Sequence, residues 1–542
     1  GAGIRNFDDD VTSTGGNVVT NVWNSTNTGL DVIVPIESDT TLDSGRVQIY
    51  AKVGSNPYEK IGDYEFIQSE EVGAIKTVSF PRDSIEALVG YAENDTLYFK
   101  SHLFDIPGNE TEGAESATKL LIDETHPVVV NSSIKSNNAD TTRAKVGDII
   151  TISLEVDEAV QTPTMTIASG SGTVTDLGSF KWSGDYTMLE SDEEGIVSFT
   201  VDELVDARGN PADGFSETLD ETQVLFDRTK PALIPVIISS NNPYDTGWAK
   251  SGDMITLTFE ASEDLLDTAA TLLTNETPIT DLGASQFQTE YTTIESDPEG
   301  EVPFQITYSD LAGNVGDTVT NSTNGNRVIY DRTVPSMFTV GALETTGGNS
   351  VENAWNSTNT GLKVTIPVEN DTTLKNGWVQ VWAKIGANDY EALGSTSIIL
   401  EAELGTDKII SFIESEIESI TSFGEEDTLT VKAVIFDIPG NNTEGSASLN
   451  RLVIDQTPPV VVNSHYESNY SDSTLATIGH IITVTFETDE VIAEPSISIS
   501  GGTGDITGIG DFNWSGTYTM QESDEEGVIP FSVDSLLDAR GN

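Results

Sequence analysis

A six-residue phrase recurs along the chain and constrains its fold more than any other feature. FDRTKP at 226–231 has near-copies IDETHP at 122–127, YDRTVP at 330–335 and IDQTPP at 454–459. Each is an apolar or aromatic residue, Asp, a variable residue, Thr, another variable residue and Pro, set between two short apolar runs. Self-similarity at a fixed period is the mark of a repeat architecture. The hinge aspartates Asp123, Asp227 and Asp331 lie 104 residues apart, as do Asp206 in DARGN and Asp310 in DLAGN. A longer period is superimposed: Trp23 and Trp355, Asp105 and Asp437, and Trp182 and Trp514 are each separated by 332 residues.

The two periods divide the chain into five units. Residues 1–123 form a larger subtype, 124–227 and 228–331 a shorter one, 332–455 repeat the larger, and 456–542 repeat the shorter. The fifth stops at DARGN, where its copy continues through PADGFSETLDETQVLFDRTKP. The expectation is that it lacks its last strand, because the chain is part of a longer array or because a neighbour donates that strand.

Local patterning is that of strands. VGDIITISLEVDEAV, SGDMITLTFEASEDL and IGHIITVTFETDEVI alternate apolar and polar residues with period two, as half-buried strands do. Gly, Asn, Asp, Ser and Thr clusters interrupt the chain every ~8–12 residues. The expected fold is all-β: tandem immunoglobulin-like β-sandwich domains in a linear array. RDSIEALVG and SFIESEIESITSFGEED, at matching places in the larger subtype, each predict one short helix.

The shorter units, with YTMLESDEEGIVSFTVDELVDARGN and a closing LFDRTKP, resemble the bacterial Ig-like domains found in tandem in large prokaryotic surface proteins of the S-layer and adhesin type. The larger units, with WNSTNTGLDVIVPIESDTTL and FDIPGNETEG, resemble a sister repeat of such proteins. The resemblance covers nearly the whole chain and implies architecture more than function, since such modules serve as spacers as often as binders.

Acidic residues cluster beside each hinge. One group is a pair at the end of the second strand: Asp157 and Glu158, Glu263 and Asp264, Asp489 and Glu490, with Glu369 and Asp371 (and Glu37 and Asp39) in the larger subtype. Another is the D-x-x-G-N turn: Asp105/Asn109, Asp206/Asn210, Asp310/Asn314, Asp437/Asn441 and Asp538/Asn542. A third is the ESDEEG or ESDPEG turn. In an Ig-like sandwich these loops meet the incoming hinge, so Asp227, Glu263, Asp264, Asp310 and Asn314 are expected to converge, joined by Asp192 or Glu193. The hinge residues Asp123, Asp331 and Asp455 have the same standing at the other junctions. Calcium takes six to eight such hard oxygens, and unneutralised carboxylates so close would repel. The expectation is Ca2+ at inter-domain junctions, an arrangement similar to the calcium junctions of cadherins. The same residues also suit plain turns, with Asp capping its own loop and Gly and Asn accepting positive φ. Asp8, Asp9 and Asp10 hint at a calcium loop but lack the glycine it requires.

The balance of 25 Lys+Arg against 89 Asp+Glu, a net charge of −64, excludes electrostatic nucleic-acid binding. There is no cysteine, and no stretch is long and apolar enough to span a membrane in this fragment. No catalytic motif stands in its required context; the carboxylates recur in every unit, whereas an enzyme needs one distinctive site. The expected function is non-catalytic: an acidic, Ca2+-stiffened rod in a cell-surface layer, filament or stalk, extracellular, associating with itself or with other surface components. The alternative is an adhesin binding module for a glycan or host surface, betrayed by a unit that breaks the repeat pattern.

Overall fold

A computed structural model describes residues 11–542, so Asp8, Asp9 and Asp10 lie outside the described residues. The chain forms two compact units. Of the described residues, one holds those up to 232 with 261–268 and 307–317; the other holds 233–260, 269–306 and 318–542. Both are built from immunoglobulin-like β-sandwiches.

In the first unit, residues 11–123 pair Val11–Thr14, Gly29–Pro35 and Ile75–Pro81 into one antiparallel sheet. The second sheet runs Val22–Asn24, Leu120–Asp123, Thr96–Phe104, Arg46–Val53, Glu59–Phe66, with Glu110–Glu112 beside Thr96–Phe104. Alternate side chains of the two sheets share one core, Leu30, Val32 and Val34 from the first against Val47, Ile49 and Phe99 from the second. That is the period-two pattern made physical: every second residue leaves water. Val22–Asn24 runs parallel to Leu120–Asp123, so the strand that ends in the hinge Asp is paired with one from the start of the same repeat.

Residues 129–226 follow the shorter plan. Val129–Ser136, Ile149–Val156, Lys181–Thr187 and Thr173–Gly178 form one sheet; Gly170–Ser171, Thr164–Ile167 and Phe199–Asp202 form the opposite one. Ile150, Ile152, Leu154 and Trp182 pack against Met165, Ile167, Phe199 and Val201. Leu225–Phe226, which opens the hinge, again pairs in parallel, with Arg143–Ala144.

In the second unit, residues 338–455 repeat the larger plan strand for strand, and Gln286–Thr292 pairs with Met254–Ala261 and Ile279–Gly283 as in the shorter plan. Residues 461–534 carry the two main sheets of the shorter plan. Among the described residues no strand there corresponds to Leu225–Phe226, and Phe531 is 36% exposed where its counterpart Phe199 is 7%. The two expected helices are present as Arg82–Glu86 and Glu414–Glu418. No described helix is long and apolar enough to cross a membrane.

The two larger repeats differ at one buried hydrogen bond. Trp23 is fully buried, and its indole N–H donates to the Tyr91 hydroxyl at 2.7 Å. At the matching place stands Phe423, packed on the core, and the buried Trp355 Nε1 has no partner. A buried donor without a partner costs about 1–3 kcal/mol. Phe423→Tyr is expected to raise the urea midpoint of the second unit by the equivalent of ~1 kcal/mol, and Tyr91→Phe to lower that of the first comparably.

Candidate metal centre

Each D-x-x-G-N turn is a closed hydrogen-bonded loop. In the second repeat one oxygen of Asp206 accepts the Arg208 and Asn210 N–H groups at 2.8 Å, and the other accepts the Asn210 side-chain amide at 2.8 Å. The same loop recurs from Asp105 to Asn109, Asp310 to Asn314, Asp437 to Asn441 and Asp538 to Asn542. Its fourth residue has φ between +85° and +97° throughout, which is why it is always Gly.

The Asn amide of the loop also grips the preceding hinge. Asn314 donates to the main-chain oxygen of Asp227 at 3.0 Å, Asn441 to that of Asp331 at 2.9 Å, and Asn542 to that of Asp455 at 3.0 Å. Asn210 instead reaches the Asp123 carboxylate at 3.1 Å. The hinge Asp accepts the N–H of the Thr two residues on, at 2.9–3.3 Å. A glutamate from the preceding repeat completes the hinge. Glu194 accepts the Arg228 N–H and the Thr229 hydroxyl, Glu299 those of Arg332 and Thr333, Glu93 those of Glu124 and Thr125, and Glu425 those of Gln456 and Thr457.

Where the loops converge, the charges differ from junction to junction. Asp227, Glu263 and Asp310 each offer an oxygen within 4.8 Å of the others, and Asp455, Glu490 and Asp538 form the matching triad. In the first triad Asp310 is buried and Glu263 makes no hydrogen bond to the described residues. Burial holds the Glu263 carboxyl above its ordinary range, and the charges of Asp227 and Asp310 add to the effect. Burial likewise raises Asp227. In the second triad Arg540 reaches in, 3.2 Å from Asp455, but also pairs with Glu426 at 2.6 Å.

The junction around Asp123 holds its own cation. The Arg208 guanidinium pairs with the buried Asp123 carboxylate, and its charge opposes the upward push on Glu158 from burial, Asp206, Asp123 and Asp157. Asn94 stands where the other junction has Glu426, so nothing at that position competes for the guanidinium. Asp331 and Asp437 form a fourth arrangement. One Asp331 oxygen is buried without a partner, and the fully buried Asp437 carboxyl is pushed up to about 7, by burial first and then by the charge on Asp331.

The acidic pairs at the second-strand ends do not act as pairs. Asp157 and Asp489 accept the hinge N–H groups of Val128 and Val460, and Glu369 accepts that of Ser336. Asp371 caps the short helix Thr372–Leu374, as Asp39 caps Thr40–Leu42. The second members, Glu158, Glu263 and Glu490, face the junction. Ser262 takes the capping place through Ala232, so Glu263 is the counterpart of Glu158, and Asp264 has none. In the acidic turns Asp192 is consumed by Leu189 and Tyr186, and Glu194, rather than Asp192 or Glu193, reaches the hinge.

The Asp227/Glu263/Asp310 donor set fits a hard cation: carboxylate oxygens only, with no described cation beside Glu263. No family model and no curated protein matches the chain. Among solved structures, it is similar to a Ca2+-stabilized adhesin with which an Antarctic bacterium binds ice (14% identity, 82% of this chain and 100% of that one, TM-score 0.37). A 1.5-MDa bacterial ice-binding adhesin (16%, 58% and 95%, TM-score 0.30) and fibronectin(III)-like modules of Clostridium thermocellum CbhA (14%, 37% and 94%, TM-score 0.21) are also similar.

The Asp437 carboxyl makes a prediction with a definite sign. The folded chain keeps a proton that the unfolded chain releases near pH 4. Stability is therefore lost as pH rises from about 4 to about 7. In chelator, the urea midpoint of the second unit is expected to fall between pH 5 and pH 8. Asp437→Asn should flatten that fall, each tenfold change in acidity being worth about 1.4 kcal/mol.

Proposed function

We propose that the chain is a non-catalytic structural segment of a prokaryotic cell-surface protein, an array of five Ig-like domains in which calcium closes the junctions that carry a carboxylate triad. The observation that carries this reading is the pair of carboxylate triads, Asp227/Glu263/Asp310 and Asp455/Glu490/Asp538, at matching places in the hinge loops. Three carboxylates so close in a half-buried site are mutually repulsive, and a divalent ion removes that cost while adding oxygen–metal bonds. The hinge grip through Asn314 or Asn542 supplies geometry, and the ion would supply stiffness. The net charge of −64 keeps the surface solvated and concentrates cations near it. Extracellular placement agrees with this chemistry, since a surface layer, filament or stalk meets millimolar calcium and extracellular sites bind at about 10⁻⁴–10⁻³ M.

The test is calcium titration of the intact chain, read by small-angle scattering and by thermal melting. Calcium at a hundredfold its dissociation constant adds about 2.7 kcal/mol to whatever binds it only when folded. Unchanged scattering and melting with and without chelator would sink the proposal.

Two variants locate the ion. Ala312 occupies the place of Arg208. Ala312→Arg is expected to bring a guanidinium to Asp227, raising stability in chelator and abolishing the calcium increment of that triad. Glu263→Gln should do the same by removing a carboxylate that burial and its neighbours make unfavourable when ionised. A calcium increment in the first unit that survives both substitutions would place the ion elsewhere, while the increment of the second unit is left to the other triad.

A further inference from the structure

One face in the first repeat breaks the pattern of its copy. The outer side of the sheet containing Arg46–Val53, Glu59–Phe66 and Thr96–Phe104 carries Arg46, Lys52, Lys60 and Lys100, joined by Lys119 from the adjoining loop. These are five of the 25 basic residues in a chain of net charge −64. They interleave with Tyr50, Tyr58, Tyr64, Tyr98 and Phe104. The Lys100 ammonium sits 4.4 Å from the Tyr58 ring centre, Lys52 lies 4.6 Å from Tyr58 and 4.8 Å from Tyr98, and Lys60 is 4.9 Å from Tyr64. The Arg46 guanidinium lies over Tyr64 at 4.8 Å and over Phe104 at 5.7 Å. His102 packs against Tyr50 in a tilted arrangement, with 4.3 Å between ring centres.

The same fold does not need this surface. Residues 332 positions on are Ala392 for Lys60, Thr396 for Tyr64, Thr430 for Tyr98 and Val434 for His102. Trp378 replaces Arg46 and is covered by Tyr244 at 4.5 Å. The fourth repeat keeps its strands and register with Trp382 for Tyr50, Phe436 for Phe104 and Arg451 for Lys119, and with Tyr390 between Lys384 and Lys432, but without counterparts of the Tyr64 and Tyr98 rings or of the Arg46 and Lys60 cations. Cross-strand packing alone therefore does not require the rings of Tyr64 and Tyr98 or the cations of Arg46 and Lys60.

Glu110, Glu112 and Glu115 pair with His102, Lys100, Lys52 and Lys119, whereas Arg46 and Lys60 have no carboxylate partner among the described residues. Tyr64 and Phe66 are 38% and 62% exposed. Ammonium groups held against ring faces are already ordered, so an incoming anion need not immobilise them. The remaining negative charge of the chain is screened beyond about 8 Å at physiological salt, leaving the local cations to act.

We propose that this face of the first repeat is a docking surface for an anionic polysaccharide, a sugar chain bearing carboxylate or sulfate groups. The cations meet the anionic groups, and the tyrosine and phenylalanine edges and faces meet the C–H surfaces of the sugar rings. A neutral sugar would leave the cations unused, and an acidic protein surface would leave the rings unused.

The experiment measures binding of the intact chain to immobilised alginate, dextran sulfate and neutral dextran at 0.15 M salt, about physiological ionic strength. EDTA is present throughout, so that calcium cannot bridge the acidic chain to the polymer. Binding to at least one polyanion and not to neutral dextran is expected, weakening as salt rises. Lys60→Ala with Tyr64→Thr and Tyr98→Thr, the residues the fourth repeat carries, should weaken it at least tenfold, and Lys60→Ala alone measurably. Lys384→Ala should leave it unchanged. Absence of polyanion binding, equal retention on neutral dextran, or an unaffected triple variant would overturn the proposal. So would a triple variant whose change is in self-association, measured by light scattering, since the occupant would then be a second copy of the chain. Because calcium is absent, none of these outcomes bears on the junction sites.

Discussion

The amide of one asparagine in each turn is the contact on which the junctions depend. Its nitrogen is shared between the carboxylate that shapes its own loop and an oxygen of the hinge Asp before it. Neither role tolerates an exchange of residue type. Asp would present an acceptor to two acceptors, and Gln would displace the donor by a methylene. The turn's Gly, the hinge Thr and the glutamate of the preceding repeat all serve to hold that nitrogen in place. The sandwiches supply rigid ends, and the grip sets how each hinge enters the next repeat.

On this common geometry the chain carries four electrostatic solutions. Around Asp123 a guanidinium neutralises the cluster; around Asp455 a similar guanidinium is divided with Glu426. Around Asp227 there is no cation beside Glu263, and around Asp331 two carboxyls are buried deeply enough that one holds its proton near neutrality. The third position of the turn decides much of this, being Arg208, Arg540, Ala312 and Pro439 in the four cases. A single residue in an otherwise fixed loop thus tunes whether a junction carries its own positive charge.

The sandwich was legible from the sequence because period-two alternation and turn residues agree, as in Ile149–Val156 and Ile481–Thr488, where every second side chain is buried or nearly so. The D-x-x-G-N turns and the convergence of Asp227, Glu263 and Asp310 were legible too, since topology alone brings those loops to the hinge. The acidic pairs were less so. A carboxylate that caps a main-chain N–H, as Asp157 and Asp371 do, has the same spelling as one that faces a junction, as Glu158 does. Arg208 was hidden at a variable position of the turn, although Ala312 at the same place in DLAGN marks the difference between the two junctions. Glu194 was concealed by its acidic neighbours; the signal that could have found it is the recurring hinge Thr, whose hydroxyl needs an acceptor.

The parallel pairing of the hinge strand has a mechanical consequence. Leu120–Asp123 lies beside Val22–Asn24, and Leu225–Phe226 beside Arg143–Ala144, each joining the exit of a repeat to a segment near its entrance. Tension applied between entrance and exit slides such strands past each other, so their hydrogen bonds are strained together. An antiparallel hairpin pulled at its open end would lose its bonds one after another. The first four repeats are therefore wired to resist shear at the place where a pull along the chain would enter them.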